Sequence, residues 1–336
     1  TYMTSSITIP ESAYVPKYTL DEILFPKIEP NLEGYLRVSD IHEIWYAEYG
    51  NLQGTPVIFV HGGPGGGVCD DDARFFNPKH YRIILFDQRG AKRSRPLYEM
   101  AENNTHNLIN DMEKLRKHLG IDKWLALGGS WGSTLSVLYG QTYPEHCLGF
   151  VLRGIFTATD EEISNIYAMG DIFPENYNEL VSLIPENERG DLLNAYFKRL
   201  CDPDPKICME AARIFMKYDL EAAFLMNNKE RVQKILAEED IILAVSKFFA
   251  HYALNRFFLE PNQIMDELYK ISHLPAIIVH GRYDIICRVK NAYKMHKNWP
   301  GSELVIIQDA GHSDDELGTA KALVYATEKM WSKLNK

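Results

Sequence analysis

Six short apolar runs, each stopped by glycine, proline or a polar residue, constrain this chain more than any other feature. They are Pro56 to Val60, Tyr81 to Phe86, Trp124 to Leu127, Leu148 to Leu152, Pro275 to Val279 and Leu304 to Ile307. A strand with one wet face alternates apolar and polar residues. A run that is apolar throughout has both faces covered, as in a parallel sheet packed between helices. Helical periods lie between the runs: Leu108, Met112, Leu115 and Leu119 fall on one stripe, as do Leu323, Val324, Met330, Trp331 and Leu334. Strands alternating with helices predict an α/β fold with crossover connections. Ahead of them, Gly34 to Val38 and Ile41 to Ala47 alternate at period two around Ser39-Asp40 and predict a hairpin. The first thirty residues, irregular and dotted with proline, are expected to wrap the domain as an arm. From 156 to 270 no strand pattern occurs, and helical periods, acids and aromatics dominate. The expectation is a catalytic core of residues 1–155 and 271–336, with an all-helical cap of 156–270 inserted over the carboxyl edge of the sheet.

Composition removes several classes of function. The 336 residues are 46% hydrophobic and 24% charged, which fits a folded globular chain and not a disordered one. A net charge of −10 and the lack of a basic run argue against nucleic acid or an anionic membrane surface as partner. No apolar stretch approaches the roughly 20 residues that cross a bilayer. Thr1 to Ser6 read as neither the charged nor the apolar part of a signal peptide. The cysteines at 69, 147, 201, 208 and 287 show no CxxC or zinc spacing, so they are expected to be buried or half-buried free thiols. A cytoplasmic enzyme without metal or organic cofactor is the expectation, and the oligomeric state is left open.

Gly128-Gly129-Ser130-Trp131-Gly132 directly follows one apolar run and directly precedes a helical stretch. That is the G-x-S-x-G nucleophile elbow in its strand–turn–helix context. The turn is so sharp that side chains beside the serine would collide. It leaves the Ser130 hydroxyl over the sheet edge and the Trp131 amide at a helix start, aimed where an oxyanion forms. A serine needs a base and a group to orient that base. In this fold the chain order is serine, acid, histidine. Asp284 follows the run Pro275 to Val279, and His312 follows Leu304 to Ile307, so the expected triad is Ser130, Asp284 and His312. The loop His61-Gly62-Gly63-Pro64-Gly65-Gly66-Gly67 lacks the lysine of a P-loop. Its glycines suit close approach to a tetrahedral intermediate. The Gly63 amide is expected as the second oxyanion donor, with Gly62 beside the substrate and His61 stabilising the loop.

Together with Phe86-Asp87-Gln88-Arg89-Gly90, Leu152-Arg153-Gly154-Ile155-Phe156, His280-Gly281-Arg282-Tyr283-Asp284 and Gly311-His312-Ser313, these blocks resemble the proline iminopeptidases, α/β-hydrolases with a helical cap. The resemblance spans roughly Leu32 to Trp331. It implies release of an N-terminal proline, or another small residue, from a small peptide substrate through an acyl-enzyme. It also implies that Cys287 is a packed thiol near the site. The family holds the substrate's free amine with two cap glutamates. Here Tyr218-Asp219 stands where the family has Trp-Glu, and Phe249 stands where it has the second glutamate. Tyr218, Asp219 and Phe249 are therefore the expected substrate-binding residues, with Glu221 or Glu260 as substitutes if the register slips. Lys92 and Arg288 replace a family glycine and proline and are expected at the site rim. Phe249 also opens a second reading, a serine amidase or esterase acting on uncharged or bulky amides and esters. A third reading is a catalytically silent protein that uses the cap as a ligand pocket.

Overall fold

The computed structural model describes residues 7–336 apart from Glu11, so the expectation for Thr1 to Ser6 lies outside the described residues. Eight strands form one sheet in the order β1-β2-β4-β3-β5-β6-β7-β8. The strands are β1 (Leu32–Arg37), β2 (Glu43–Gly50), β3 (Thr55–Val60), β4 (Tyr81–Phe86), β5 (Trp124–Gly129), β6 (Cys147–Arg153), β7 (Ala276–Gly281) and β8 (Glu303–Ile307). The predicted hairpin is β1 and β2, antiparallel with Arg37 opposite Glu43, and β2 also runs antiparallel to β4. From β4 onward every neighbouring pair is parallel.

The apolar runs are explained by the sheet's two faces. Ile58, Val60, Ile84, Phe86, Ala126 and Leu152 point into one core, where α1 (Thr105–His118) and α2 (Trp131–Thr142) pack. Their neighbours Val57, Phe59, Ile83, Leu85, Leu127 and Val151 point into the opposite core. Successive residues of one strand thus serve different cores, so neither face tolerates a polar residue. The C-terminal helix, Leu317–Leu334, buries Leu323 and Met330 in the second core, as its stripe predicts. The N-terminal arm is docked by Arg74, whose guanidinium donates to the Phe25 carbonyl at 2.7 Å and to Asp21 at 2.8 Å.

Between β6 and β7 the described residues form helices and turns without a strand. The longer helices there are α3 (Pro174–Ser182), α4 (Leu192–Leu200), α5 (Pro205–Ala223), α6 (Lys229–Leu236) and α7 (Glu239–Leu254). After β7 come α8 (Val289–Lys297) and α9 (Leu317–Leu334). None of the described helices is long and apolar enough to cross a membrane. One cysteine expectation is corrected. Cys147, Cys208 and Cys287 are buried, but Cys69 and Cys201 are exposed, because Cys69 caps the start of the short helix Asp70–Phe75 and Cys201 sits in the turn after α4.

The chain turns back at β4 and continues on the other side of β3, so the sheet's switch point lies between β3 and β5, where ligands bind in open α/β sheets. The loop after β4 is fastened by a buried fork: Arg89 donates to both Asp111 carboxylate oxygens, at 2.6 and 2.8 Å. Removing one partner strands the other charge in the core. Asp111→Ala is expected to cost about 3–5 kcal/mol, read as a lowered midpoint in thermal or urea unfolding.

Candidate active site

Ser130 sits between β5 and α2 with φ 55° and ψ −125°, a backbone conformation that a non-glycine residue adopts only under constraint. The constraint is visible at Gly132, where a Cβ would lie 1.9 Å from the Val60 carbonyl oxygen. The Ser130 amide donates to the Arg153 carbonyl at 2.9 Å, fastening the turn to β6. The Trp131 amide heads α2 and has no carbonyl four residues back in its own helix to bond. The glycine loop after β3 approaches the same point. A Cβ on Gly62 would lie 3.6 Å from Ser130 Cβ and 4.0 Å from the Trp131 nitrogen. Gly63 follows with φ 121°, in the region that favours glycine.

Two side chains hold these parts together: His61, expected to stabilise the loop, and Gln88, which lies outside the expected set. His61 Nε2 accepts from the Gln88 amide at 2.9 Å, leaving Nδ1 to donate to the Gly62 carbonyl at 2.8 Å. Burial, partly offset by Asp87, pushes His61 down to about 4, so it is a neutral loop anchor. The Gln88 side-chain amide donates to the His61 carbonyl at 2.9 Å, and its oxygen accepts from the Trp131 indole at 2.9 Å. One amide therefore bridges the glycine loop and the elbow. The Gln88 role was hidden in the sequence because an Asp-Gln-Arg-Gly run says nothing about what the glutamine reaches.

Asp284 and His312 meet: His312 Nδ1 lies 2.8 Å from Asp284 Oδ2. The other Asp284 oxygen accepts from the Ile286 and Cys287 amides at 3.0 and 2.8 Å. Burial alone would raise the Asp284 carboxyl, but His312, His280 and the Cys287 amide outweigh it and hold the group below its ordinary value. His280 is a second residue without a sequence-level signal. It is fully buried, Nδ1 accepts from the Ile155 amide at 3.2 Å, and Nε2 donates to the Cys287 carbonyl at 2.6 Å. It closes the turn that presents Asp284.

The His312 loop is held from three sides. Arg153 donates to the His312 carbonyl at 2.6 Å. The His312 and Ser313 amides both donate to the Ala223 carbonyl at the end of α5, each at 2.9 Å. Glu316 accepts from the Gly311 amide at 2.8 Å and from the Leu225 amide at 3.1 Å. Serine and imidazole flank Gly154, where a Cβ would lie 3.2 Å from His312 Cε1 and 3.5 Å from the Ser130 nitrogen. The hydroxyl itself is not bonded to the ring. Its partner among the described residues is Cys287 Sγ at 4.0 Å, and burial pushes that thiol well above its ordinary value.

Ser130, Trp131, Gly62, Gly63, His312, Tyr218, Asp219 and Phe249 all line one cavity of about 320 Å³. The Tyr218 hydroxyl is spent on the Ile166 carbonyl, at 2.5 Å. Phe249 packs between Phe215 and Phe257, with ring centroids 5.9 and 6.1 Å away. Two other acids line the cavity. Glu162 accepts from Thr157, Thr159 and Asn291, and Asp314 lies 3.8 Å from Arg153. Asp219 has neither a hydrogen bond nor an ion pair among the described residues. Burial pushes its carboxyl above the ordinary value; the Asp284 charge adds to this and His312 opposes it.

Four expectations are corrected. Glu221 and Glu260 do not line the cavity: Glu221 pairs with Asn227 at 3.5 Å, and Glu260 is exposed beyond α7. Lys92 and Arg288 are also absent from its wall. Lys92 has φ 49°, a backbone angle that favours glycine, and its amine turns away to the Val68 carbonyl. Arg288 has φ −65°, the angle a proline ring imposes.

Residues 55–315 match the alpha/beta hydrolase fold family. A proline iminopeptidase of Arabidopsis thaliana is 47% identical, over 91% of this chain and 82% of its own. A probable proline iminopeptidase of Leptolyngbya boryana is 43% identical over 91% and 96%, and a proline iminopeptidase of Xylella fastidiosa is 40% identical over 91% and 98%. Among solved structures, an esterase from Exiguobacterium antarcticum has a TM-score of 0.64 at 18% identity, covering 91% of this chain and all of its own, a likeness of fold alone. On these similarities the chain belongs to the proline iminopeptidase family of α/β hydrolases.

Proposed function

We propose that the chain is a serine aminopeptidase that releases an N-terminal residue, proline as in the names of its relatives or another small residue, from short peptides. In this reading Asp219 binds the substrate ammonium, Ser130 Oγ attacks the first carbonyl, and the Gly63 and Trp131 amides hold the oxyanion. His312 takes the serine proton and returns it to the leaving amine, while Asp284 keeps the ring in the tautomer that accepts at Nε2. Water then hydrolyses the acyl-enzyme by the same route. The hydroxyl has to turn from Cys287 toward the ring as substrate arrives; catalytic hydrogen bonds are often long before binding. Residues 156–270 act as the cap that encloses the substrate over a core of 1–155 and 271–336, and the enzyme is assigned to the cytoplasm.

One observation carries the reading. A 2.8 Å Asp284–His312 pair opens into the same cavity as an elbow serine and an unpartnered carboxylate. A buried anion without a partner is costly, and a substrate cation removes that cost. Only a free amine at the first residue brings a cation there, which separates an exopeptidase from an endopeptidase. Phe249 favours the second reading, an amidase or esterase for uncharged substrates. Preference for N-blocked amides or short esters over proline β-naphthylamide would establish it in place of the first. Failure of a fluorophosphonate to label the folded protein would establish the silent binder.

Ser130→Ala is expected to abolish both proline β-naphthylamide hydrolysis and fluorophosphonate labelling; unchanged turnover would end the proposal. Asp219→Asn should lower kcat/KM for free-amine substrates by about ten- to a hundredfold, the value of a charge-assisted contact, with a smaller effect on N-blocked esters. The ammonium is held only by the ionised carboxylate, and that carboxyl is raised. On acidification the ratio of free-amine to N-blocked kcat/KM should therefore fall at a pH above the ordinary aspartate range. Asp219→Asn should flatten this ratio profile, and the N-blocked substrate controls for ionisations common to both reactions.

A further inference from the structure

The cavity wall has two different sides. On α5, Phe215 and Tyr218 belong to a mixed aromatic and aliphatic cluster shared with α3 and α4. Met216 and Leu220 belong to a separate aliphatic cluster closed by α6 and α7, which also brings Phe224, Ile235 and Val245 to the cavity. The aliphatic side adjoins the imidazole. The carbonyl of Ala223, between Leu220 and Phe224, accepts from the His312 and Ser313 amides at 2.9 Å, and the Leu225 amide is tied to Glu316 on the same loop.

Chemistry then assigns the aliphatic side. The base that takes the serine proton must hand it to the departing amine, so the leaving fragment lies against the imidazole. We propose, resting on the aminopeptidase reading, that the mainly aliphatic wall of Met216, Leu220, Phe224, Ile235 and Val245 is the subsite for the residue after the scissile bond. It takes peptides whose second residue is bulky and aliphatic. Burying such a side chain there releases water from apolar surface on both partners. Stripping water from a carboxylate against this apolar wall disfavours an acidic second residue.

The test is a series of dipeptide amides cleaved by the whole chain: Pro-Leu, Pro-Gly and Pro-Asp amide. The expected kcat/KM for Pro-Leu exceeds that for Pro-Gly by about tenfold or more, the range expected for burying a leucine side chain, with Pro-Asp slowest. Ile235→Ser, at a half-buried position, should shrink the Leu-to-Gly ratio to about threefold or less, with folding checked by thermal melt. Equal rates for Pro-Leu and Pro-Gly overturn the subsite while leaving the aminopeptidase intact. Calorimetry separates the opposite case. Leucinamide, the released fragment, should bind about tenfold tighter than glycinamide whether or not the enzyme turns over, and equal affinities also overturn the subsite.

Discussion

The rest of the site depends on one close approach, the passage of α2 beneath the end of β3. Gly132 has space for a hydrogen and nothing larger under the Val60 carbonyl, and that contact bends the chain sharply enough to hold Ser130 at a positive φ. The strained residue is paid for by the two cores on either side of the sheet, which fix β3 and β5 as neighbours in register from Val57 and Leu125 onward. With those strands in place, the glycine loop after β3 and the first amide of α2 converge without any further device. Gln88 then locks the convergence by bonding one element through His61 and the other through Trp131.

The second organising feature is that the histidine loop belongs to core and insertion at once. Arg153 holds it from β6, while Ala223 and Leu225 hold it from the end of α5 and the chain just beyond. Asp219 lies one helical turn before Ala223 on α5. The carboxylate assigned to the substrate amine and the clamp on the imidazole are thus parts of one rigid element. Any displacement of α5 moves both together, which would link the proposed amine contact to the position of the imidazole.

The fold was legible because the sheet's demands are local. Apolar runs, a period-two hairpin and 3.6-residue stripes each mark one element, and the elbow motif carries its own strand–turn–helix context. The chain order of Ser130, Asp284 and His312 was legible for the same reason, since each follows an apolar run directly. The helical stretch between β6 and β7 was less readable. Glu221 and Glu260 are acids of the right kind in the right segment, but helix phase turns Glu221 away from the cavity and Glu260 lies exposed in the chain beyond α7. Lys92 looked like a change at the rim, yet its amine leaves the site for the Val68 carbonyl. His280, Gln88 and Glu316 act through contacts with residues elsewhere in the fold, and no local pattern announces such contacts.

Sequence alone determined the sheet architecture and pointed to Ser130, Asp284 and His312 as the proposed nucleophile, acid and base, because periodicity and glycine placement express backbone geometry directly. Tertiary structure decided which carboxylate remains available. Of Glu162, Asp219 and Asp314 in the cavity wall, hydrogen bonds occupy the first and Arg153 faces the third, leaving Asp219 alone. It also decided that the aliphatic side of the cavity lies beside the imidazole. Both outcomes depend on how helices distant in sequence rotate against one another, and a carboxylate's charge is available to a substrate only where no neighbour already satisfies it.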